Sequence, residues 1–226
     1  MPRPIYAEID IPALKHNLGV LREKAGDRTL WAVVKANAYG HGLETAVMAF
    51  EDADGLATID LCDAQRARDA GWKKRILLLE GFFDRTDIEP LQELGVETVI
   101  HSPWQIDILR SMPLTDVRVH IKVNSGMNRL GFLPIEVNTV WEQLTSIKGV
   151  KVMGTVTHFA NAEWSYDAQK PVSVDKQLAR MGYLAHSATA ACMANSAGIL
   201  WHPEVGGDGV RAGVALYGVS PDSHIS

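Results

Sequence analysis

Short apolar runs alternate with stretches in which apolar residues fall three and four positions apart, and the alternation continues through the whole chain. It opens with Ile5-Tyr-Ala-Glu-Ile-Asp10, where Ile5, Ala7 and Ile9 share one face and predict a short N-terminal strand. From Ile11 to Lys24 the residues Ile11, Leu14, Leu18 and Leu21 form one helical stripe, with Asp10 placed to cap it. The run Trp31-Ala-Val-Val predicts a strand buried on both faces that delivers Lys35 at its end. Helix and strand then take turns. A helix over Leu43 to Ala53 precedes strand Gly55 to Ile59, Leu61 to Ala70 precedes Ile76 to Leu79, and Thr86 to Leu94 precedes Val96 to Ile100. Pro103 to Ser111 precedes Val117 to Val123, Pro134 to Ser146 precedes Val150 to Val156, and a helix within Val172 to Ser187 precedes Thr189 to Asn195. The stretch after Asn195 reads as a loop, and Gly207 to Arg211 as the last strand.

Counted from the strand at Lys35, roughly eight short strands separated by helices give the pattern of an α/β fold, a closed parallel (β/α)8 TIM-like barrel. A doubly wound open sheet is the alternative. The leading helix favours closure, because a barrel can use it to fill the gap beside its last strand. No linker, low-complexity segment or repeat beyond the βα alternation interrupts residues 1–226, which read as one barrel domain preceded by the short strand.

A length of 226 residues suits one large barrel or two small domains. The 22 basic and 27 acidic residues are well mixed, so no basic face points to nucleic acid and the expected partner is a small molecule. Cys62 and Cys192 lie far apart, the start Met-Pro-Arg-Pro lacks the apolar core of a signal peptide, and no apolar run approaches the ~20 residues of a membrane span. A reduced, cytoplasmic protein is expected, with no membrane partner and no metal.

Lys35 stands directly after a doubly buried strand and before the glycine-punctuated Ala-Asn-Ala-Tyr39-Gly-His41-Gly42. An ammonium there loses hydration, which lowers its pKa and makes a nucleophilic amine of the kind that forms Schiff bases. The alternative is a strand-end lysine that snorkels to water. Barrel chemistry gathers at the carboxyl ends of strands, and other unusual residues fall there. Lys122-Val-Asn-Ser-Gly-Met-Asn-Arg129-Leu-Gly follows the fifth strand, Thr157-His158-Phe-Ala-Asn161 the sixth, Asn195-Ser196 the seventh and Arg211 the eighth. After Arg211 a helical turn begins whose first free amides belong to Gly213 and Val214, a ready anion site to which Asn195 and Ser196 can add side-chain donors. Taken singly, His158 could be a satisfied core histidine, and Arg211 could pair with Asp208 or Glu204.

The lysine motif, Lys122 to Gly131, Thr157-His158-Phe-Ala, Asn195-Ser196 and Val210-Arg211 together resemble the alanine racemases, in the same order. The resemblance implies that Lys35 carries pyridoxal 5'-phosphate and that Tyr39, Asn195, Ser196, Gly213 and Val214 hold its phosphate. It implies that Arg129 faces the phenolic oxygen and the substrate carboxylate, and that Arg211 faces the pyridine nitrogen with His158 behind it. Lys122 matches a lysine that is carbamylated in many members, and Ala212 stands where proline is common. A guanidinium does not give up its proton, so a pyridine nitrogen facing Arg211 stays unprotonated and is a poorer electron sink, which suits reprotonation at Cα over transamination. The implied activity is interconversion of L- and D-alanine, for cell-wall synthesis or alanine catabolism, by a homodimer. Racemisation needs a proton donor on each face, and in the family the second is a tyrosine of a C-terminal β-domain from the other subunit. The sequence stops at Ser226 without a match to that domain. Two expectations follow: a racemase barrel whose activity needs the remaining part, or a non-catalytic carrier resembling the pyridoxal-phosphate homeostasis proteins. A further expectation is an unpaired edge at Ile5 to Ile9 and exposed apolar surface around Tyr39, Trp164 and Tyr217, both favouring self-association.

Overall fold

A computed structural model describes residues 4–163, 172–182 and 190–222. Eight parallel strands close on themselves in sequence order, with β1 (Thr29–Val33) paired to both β2 (Gly55–Thr58) and β8 (Gly209–Ala212). Between them stand β3 (Arg75–Leu78), β4 (Glu97–Ile100), β5 (Val117–Lys122), β6 (Val150–Val156) and β7 (Ala190–Ala194). The closed barrel is therefore realised and the open sheet is not.

Period-two alternation explains why these strands read as continuous apolar runs. Trp31 and Val33 of β1 join Ala57, Leu77, Val99, Val156 and Cys192 in one cluster inside the barrel. Their neighbours Leu30, Ala32, Leu56, Ile76 and Ile100 pack outward against the helices. Gly55 makes room for the interior: a Cβ there would lie 2.4 Å from the Trp31 ring. At the amino-terminal end, Glu97 accepts from Arg75 at 2.5 and 2.8 Å and from His120 at 2.7 Å, with the Arg75 guanidinium 4.6 Å from the Trp31 ring centroid. Burial pushes the Glu97 carboxyl up, but the bonds from His120 and Arg75 outweigh it and hold the pKa at about 2.

The leading helix spans Ile11–Ala25, capped as expected by Asp10, whose Oδ1 accepts from Ala13 N–H at 3.0 Å. It packs against helices Leu43–Ala49 and Ser196–Trp201, over the seam between β1 and β8. Residues 4–10 form no strand, and Ile5 and Tyr6 are fully exposed. No strand ladder forms there, because an alternating face pairs only where a neighbour supplies hydrogen bonds, and none among the described residues does so. The helix expected to Ala53 ends at Ala49, with Phe50 at its cap. The loop expected after Asn195 is instead the helix Ser196–Trp201, six residues too short to display a stripe.

Candidate functional site

Val34 N–H extends the ladder to Ala57 O at 2.8 Å, and then the chain leaves the strand abruptly. Ala36, Asn37, Ala38 and Tyr39 all have φ between 52° and 55°, one turn of left-handed helix closed by bonds such as Gly42 N–H to Asn37 O at 3.0 Å. That conformation costs an L-residue roughly 1–2 kcal/mol, so the turn persists only because its surroundings hold it. Its effect is to bring positions four apart to one side: the Lys35 Nζ lies 6.0 Å from the centroid of the Tyr39 ring. The ring of Tyr217 supports the turn from beneath, 5.0 Å from Tyr39 and 4.7 Å from His41, and its hydroxyl donates to Val33 O at 2.9 Å. Tyr217 is therefore buried rather than exposed, and burial drives its phenol far above the ordinary range. Tyr39 is half-buried, with its phenol also pushed up by burial, while Trp164 lies outside the described residues.

Of the two lysines at the site, Lys122 is the more deeply buried. Lys35 is half-buried, whereas Lys122 is 9 % exposed and its ammonium is disfavoured first by burial and then by Arg211 and Arg129, which lower its pKa to about 7. Strand parity places Lys122 two residues above His120 on the interior side of β5. Neither its amine nor the exposed guanidinium of Arg129 has a hydrogen-bond partner among the described residues.

Arg211 is buried, at 4 % exposure, and makes no ion pair among the described residues. Asp208 accepts from Ala191 N–H at 2.9 Å and Glu204 pairs with His202 at 2.9 Å, so neither carboxylate reaches it. Instead its Nη1 donates to Cys192 O at 2.7 Å, and its Nη2 to Thr157 O at 2.5 Å and Met193 O at 3.2 Å, with His158 Nδ1 at 3.5 Å. The guanidinium thus stitches β6, β7 and β8 together, and Nε–H is the donor left over. Burial, Arg211 and Lys122 hold His158 neutral by lowering its pKa to about 2. It is an imidazole that can accept from Arg211.

The anion cradle differs in detail from expectation. Gly213 N–H is not free: it donates to Ser196 Oγ at 2.8 Å, and Ala215 N–H approaches the same oxygen at 3.4 Å. Because that oxygen accepts twice, the Ser196 hydroxyl proton is available to a ligand. Asn195 Oδ1 caps its own helix through Gly198 N–H at 2.9 Å, leaving the amide NH2 to donate. A Cβ on Gly213 would lie 3.0 Å from Tyr39 Oη and 3.8 Å from Ser196 Oγ, so the bare glycine preserves a small space where the three meet.

All ten sequence-predicted residues, Lys35, Tyr39, Lys122, Arg129, His158, Asn195, Ser196, Arg211, Gly213 and Val214, line one cavity of about 240 Å³ at the carboxyl end of the barrel. Glu80 and Glu163 line it too, and neither was anticipated. Glu80 follows β3 and obeys the same strand-end rule, but a carboxylate ahead of a glycine carries no motif. Among the described residues the basic groups Lys35, Lys122, Arg129 and Arg211 outnumber the two carboxylates, which suits a small dianion. No group of side chains among the described residues could hold a metal ion, and no described helix is long and apolar enough to cross a membrane.

The model of the alanine racemase N-terminal domain matches residues 9–221. The alanine racemase of Janthinobacterium sp. (strain Marseille) is 47 % identical over 224 residues, covering 98 % of this chain and 62 % of that protein. The catabolic alanine racemase of Klebsiella aerogenes is 44 % identical over 223 residues, covering 98 % and 61 %. Among solved structures, the biosynthetic alanine racemase from Pseudomonas aeruginosa is similar with a TM-score of 0.89 at 35 % identity, over 96 % of this chain and 61 % of that one. The chain spans about three fifths of the length of these relatives.

Proposed function

The chain belongs to the alanine racemase family, and on that premise we propose that it is the cofactor-binding barrel of an enzyme that interconverts L- and D-alanine with pyridoxal 5'-phosphate. The observation that carries the reading is the convergence of a lysine, an anion cradle and two guanidiniums in one cavity. The residues fit the group. The space preserved at Gly213 suits a phosphate oxygen, with the Tyr39 and Ser196 hydroxyls, the Asn195 amide and Val214 N–H around it. Lys35 would hold the aldehyde carbon, and Arg211 Nε–H would face the pyridine nitrogen. When bound, the cofactor supplies an electron sink for charge developing at the substrate Cα.

The chain's own residues do the rest. Arg129, without a hydrogen-bond partner among the described residues, binds the substrate carboxylate and so fixes which way Cα faces. Lys35 takes or returns the Cα proton on one face. Arg211 keeps its own proton and so holds down the strength of the sink, and neutral His158 accepts from it. Lys122, whose amine is half-deprotonated near pH 7, is chemically ready to add carbon dioxide; the resulting carbamate would steady Arg129. Neither Tyr39 nor Tyr217 suits the second face: Tyr217 is buried behind the cavity and donates to Val33 O, and Tyr39 serves the phosphate. We therefore place the second proton donor outside the described residues, in a homodimer like those of the family. Two unpaired cysteines, Cys62 and Cys192, suit a reducing cytoplasm.

The test is borohydride trapping of the cofactor on the chain, followed by peptide mapping. Label on Lys35 supports the reading; label confined to Lys122, or none, overturns it. Cα deuterium exchange then separates an enzyme from a carrier: with one base in place, exchange is expected for one enantiomer of alanine alone.

A further inference from the structure

Lys35 and Tyr39 meet in the cavity because three residues of positive φ lie between them and Tyr39 continues the same turn, and a group outside the cavity grips that turn. Asn37 Oδ1 accepts from Leu43 N–H at 3.1 Å and from Arg66 Nη2 at 3.1 Å. The same guanidinium donates to both carboxylate oxygens of Glu44, at 2.9 and 3.0 Å from Nη2 and 3.1 Å from Nε, and through Nη1 to Asp63 at 3.1 Å. Arg66 and Asp63 belong to helix Leu61–Asp69, and Glu44 to the first turn of helix Leu43–Ala49. One planar cation thus ties the middle of the left-handed turn to the two helices that flank β2, with a fork geometry that a lysine does not reproduce.

The two ends of the turn are not equally secured. Lys35 is anchored by the ladder bond of Val34 to Ala57, upstream of the first positive φ. Tyr39 lies at the far end, where every residue between it and Lys35 is in the strained conformation. Loosening the turn therefore moves the Tyr39 hydroxyl more than the Lys35 amine. We propose that Arg66 is a positioning residue: acting through Asn37, it keeps the Tyr39 hydroxyl over Gly213 and so favours ligands that carry a phosphate. It touches neither the cofactor nor the substrate, and the proposal rests on the cofactor reading above.

The prediction separates positioning from mere stability, because a general loosening weakens pyridoxal and pyridoxal 5'-phosphate alike. The full chain carrying Arg66→Met is titrated with each, and adducts on Lys35 are quantified after borohydride reduction. Affinity for the phosphate ester should fall about tenfold, the loss of one hydrogen bond to a charged group, while that for pyridoxal stays within about twofold. Arg66→Lys should be intermediate, and Asn37→Ala should reproduce the loss with Arg66 intact. In the chain without any ligand, amide exchange at Gly42, which bonds Asn37 O at 3.0 Å, should quicken about tenfold in both Arg66→Met and Asn37→Ala. Equal losses for the two ligands, or unchanged exchange at Gly42, would overturn the proposal. Failure of the unsubstituted chain to take up either ligand at Lys35 would overturn the cofactor reading instead, and exchange at Gly42 would still decide the clamp.

Discussion

Replacing Lys122 by methionine should stabilise the chain at neutral pH, although it removes a residue from the heart of the cavity. The folded structure lowers this pKa from 10.5 to about 7, first through burial and then through Arg211 and Arg129. Each pKa unit is worth about 1.4 kcal/mol, so folding opposes protonation by about 5 kcal/mol in total, of which about 4 kcal/mol remains at pH 7, where half of the folded chains have already shed the proton. The sign follows from proton counts: between the folded value near 7 and the unfolded value of 10.5 the unfolded chain binds more protons, so stability rises with pH across that window. Methionine matches the unbranched stem and carries no charge, so it recovers most of this deficit. The assay is urea unfolding in carbon dioxide-free buffer from pH 6 to 10. The expected gain for Lys122→Met is largest at the acidic end and vanishes toward the alkaline end. Bicarbonate should narrow the gap by converting the amine of the parent chain to an anion beside two guanidiniums. A variant no more stable than its parent at pH 6, or a gain that does not change with pH, would refute the reasoning.

Lys35→Ala should abolish the borohydride-trappable adduct; an adduct of undiminished yield in that variant would place the cofactor on another lysine. Ser196→Ala removes the acceptor of Gly213 N–H and Ala215 N–H together with a phosphate donor, and should weaken pyridoxal 5'-phosphate about tenfold while sparing pyridoxal, as read by the same titration. Glu97→Gln breaks a buried pair and should cost about 3–5 kcal/mol in urea unfolding near pH 7. Because Glu97 titrates near 2 when folded and near 4.5 when unfolded, its contribution of about 3 kcal/mol is complete above pH 4.5 and lost as pH falls toward 2; the parent's acid transition should therefore flatten in the variant. Arg211→Glu would set a carboxylate against the carbonyls of Cys192, Thr157 and Met193, so it should unfold or lose cofactor rather than merely change the chemistry; Arg211→Lys is the gentler probe, and retention of full stability by Arg211→Glu would contradict the hydrogen bonds described.

The barrel was legible because its strands are buried on both faces, which leaves uninterrupted runs such as Trp31 to Val34 in the text. Nine of the ten cavity residues were legible for a related reason, since strand ends point to one rim and any reactive residue just past a strand is a candidate, whereas Tyr39 was implied only by the family resemblance. What escaped depends on partners remote in sequence. Nothing in Lys35-Ala-Asn-Ala-Tyr39 announces a left-handed turn, since alanine at positive φ is unfavourable in isolation and is imposed by Arg66, Leu43 and Tyr217. The same remoteness exchanged the burial of the two lysines. Lys35 follows the more apolar run, yet it stands two residues beyond the last residue of β1 and is half-buried, while Lys122 is itself the last residue of β5 and stays in the interior layer.

The two charged layers of the barrel show where selection has tolerated electrostatic cost. At the amino-terminal end, the buried Glu97 is matched by a bidentate Arg75 and by His120, so nothing there invites a ligand. An apolar layer containing Val33, Leu77, Val99 and Val156 separates it from the carboxyl end. There Lys35, Lys122, Arg129 and Arg211 crowd one cavity in which the carboxylates among the described residues are Glu80 and Glu163, and the buried Lys122, with its pKa lowered to about 7, sheds part of its charge. A fold that can build a compensated ion cluster at one end of the barrel has no structural reason to leave these cationic groups under-compensated at the other. The imbalance makes sense if anions arrive from outside: a phosphate at the cradle of Ser196, Gly213 and Tyr39, and a carboxylate at Arg129. On this argument inorganic phosphate alone should stabilise the chain, and should do so less in Ser196→Ala, with thermal unfolding at several phosphate concentrations as the measurement. A chain indifferent to phosphate up to high millimolar concentrations would mean that the cavity's charge is balanced in some other way.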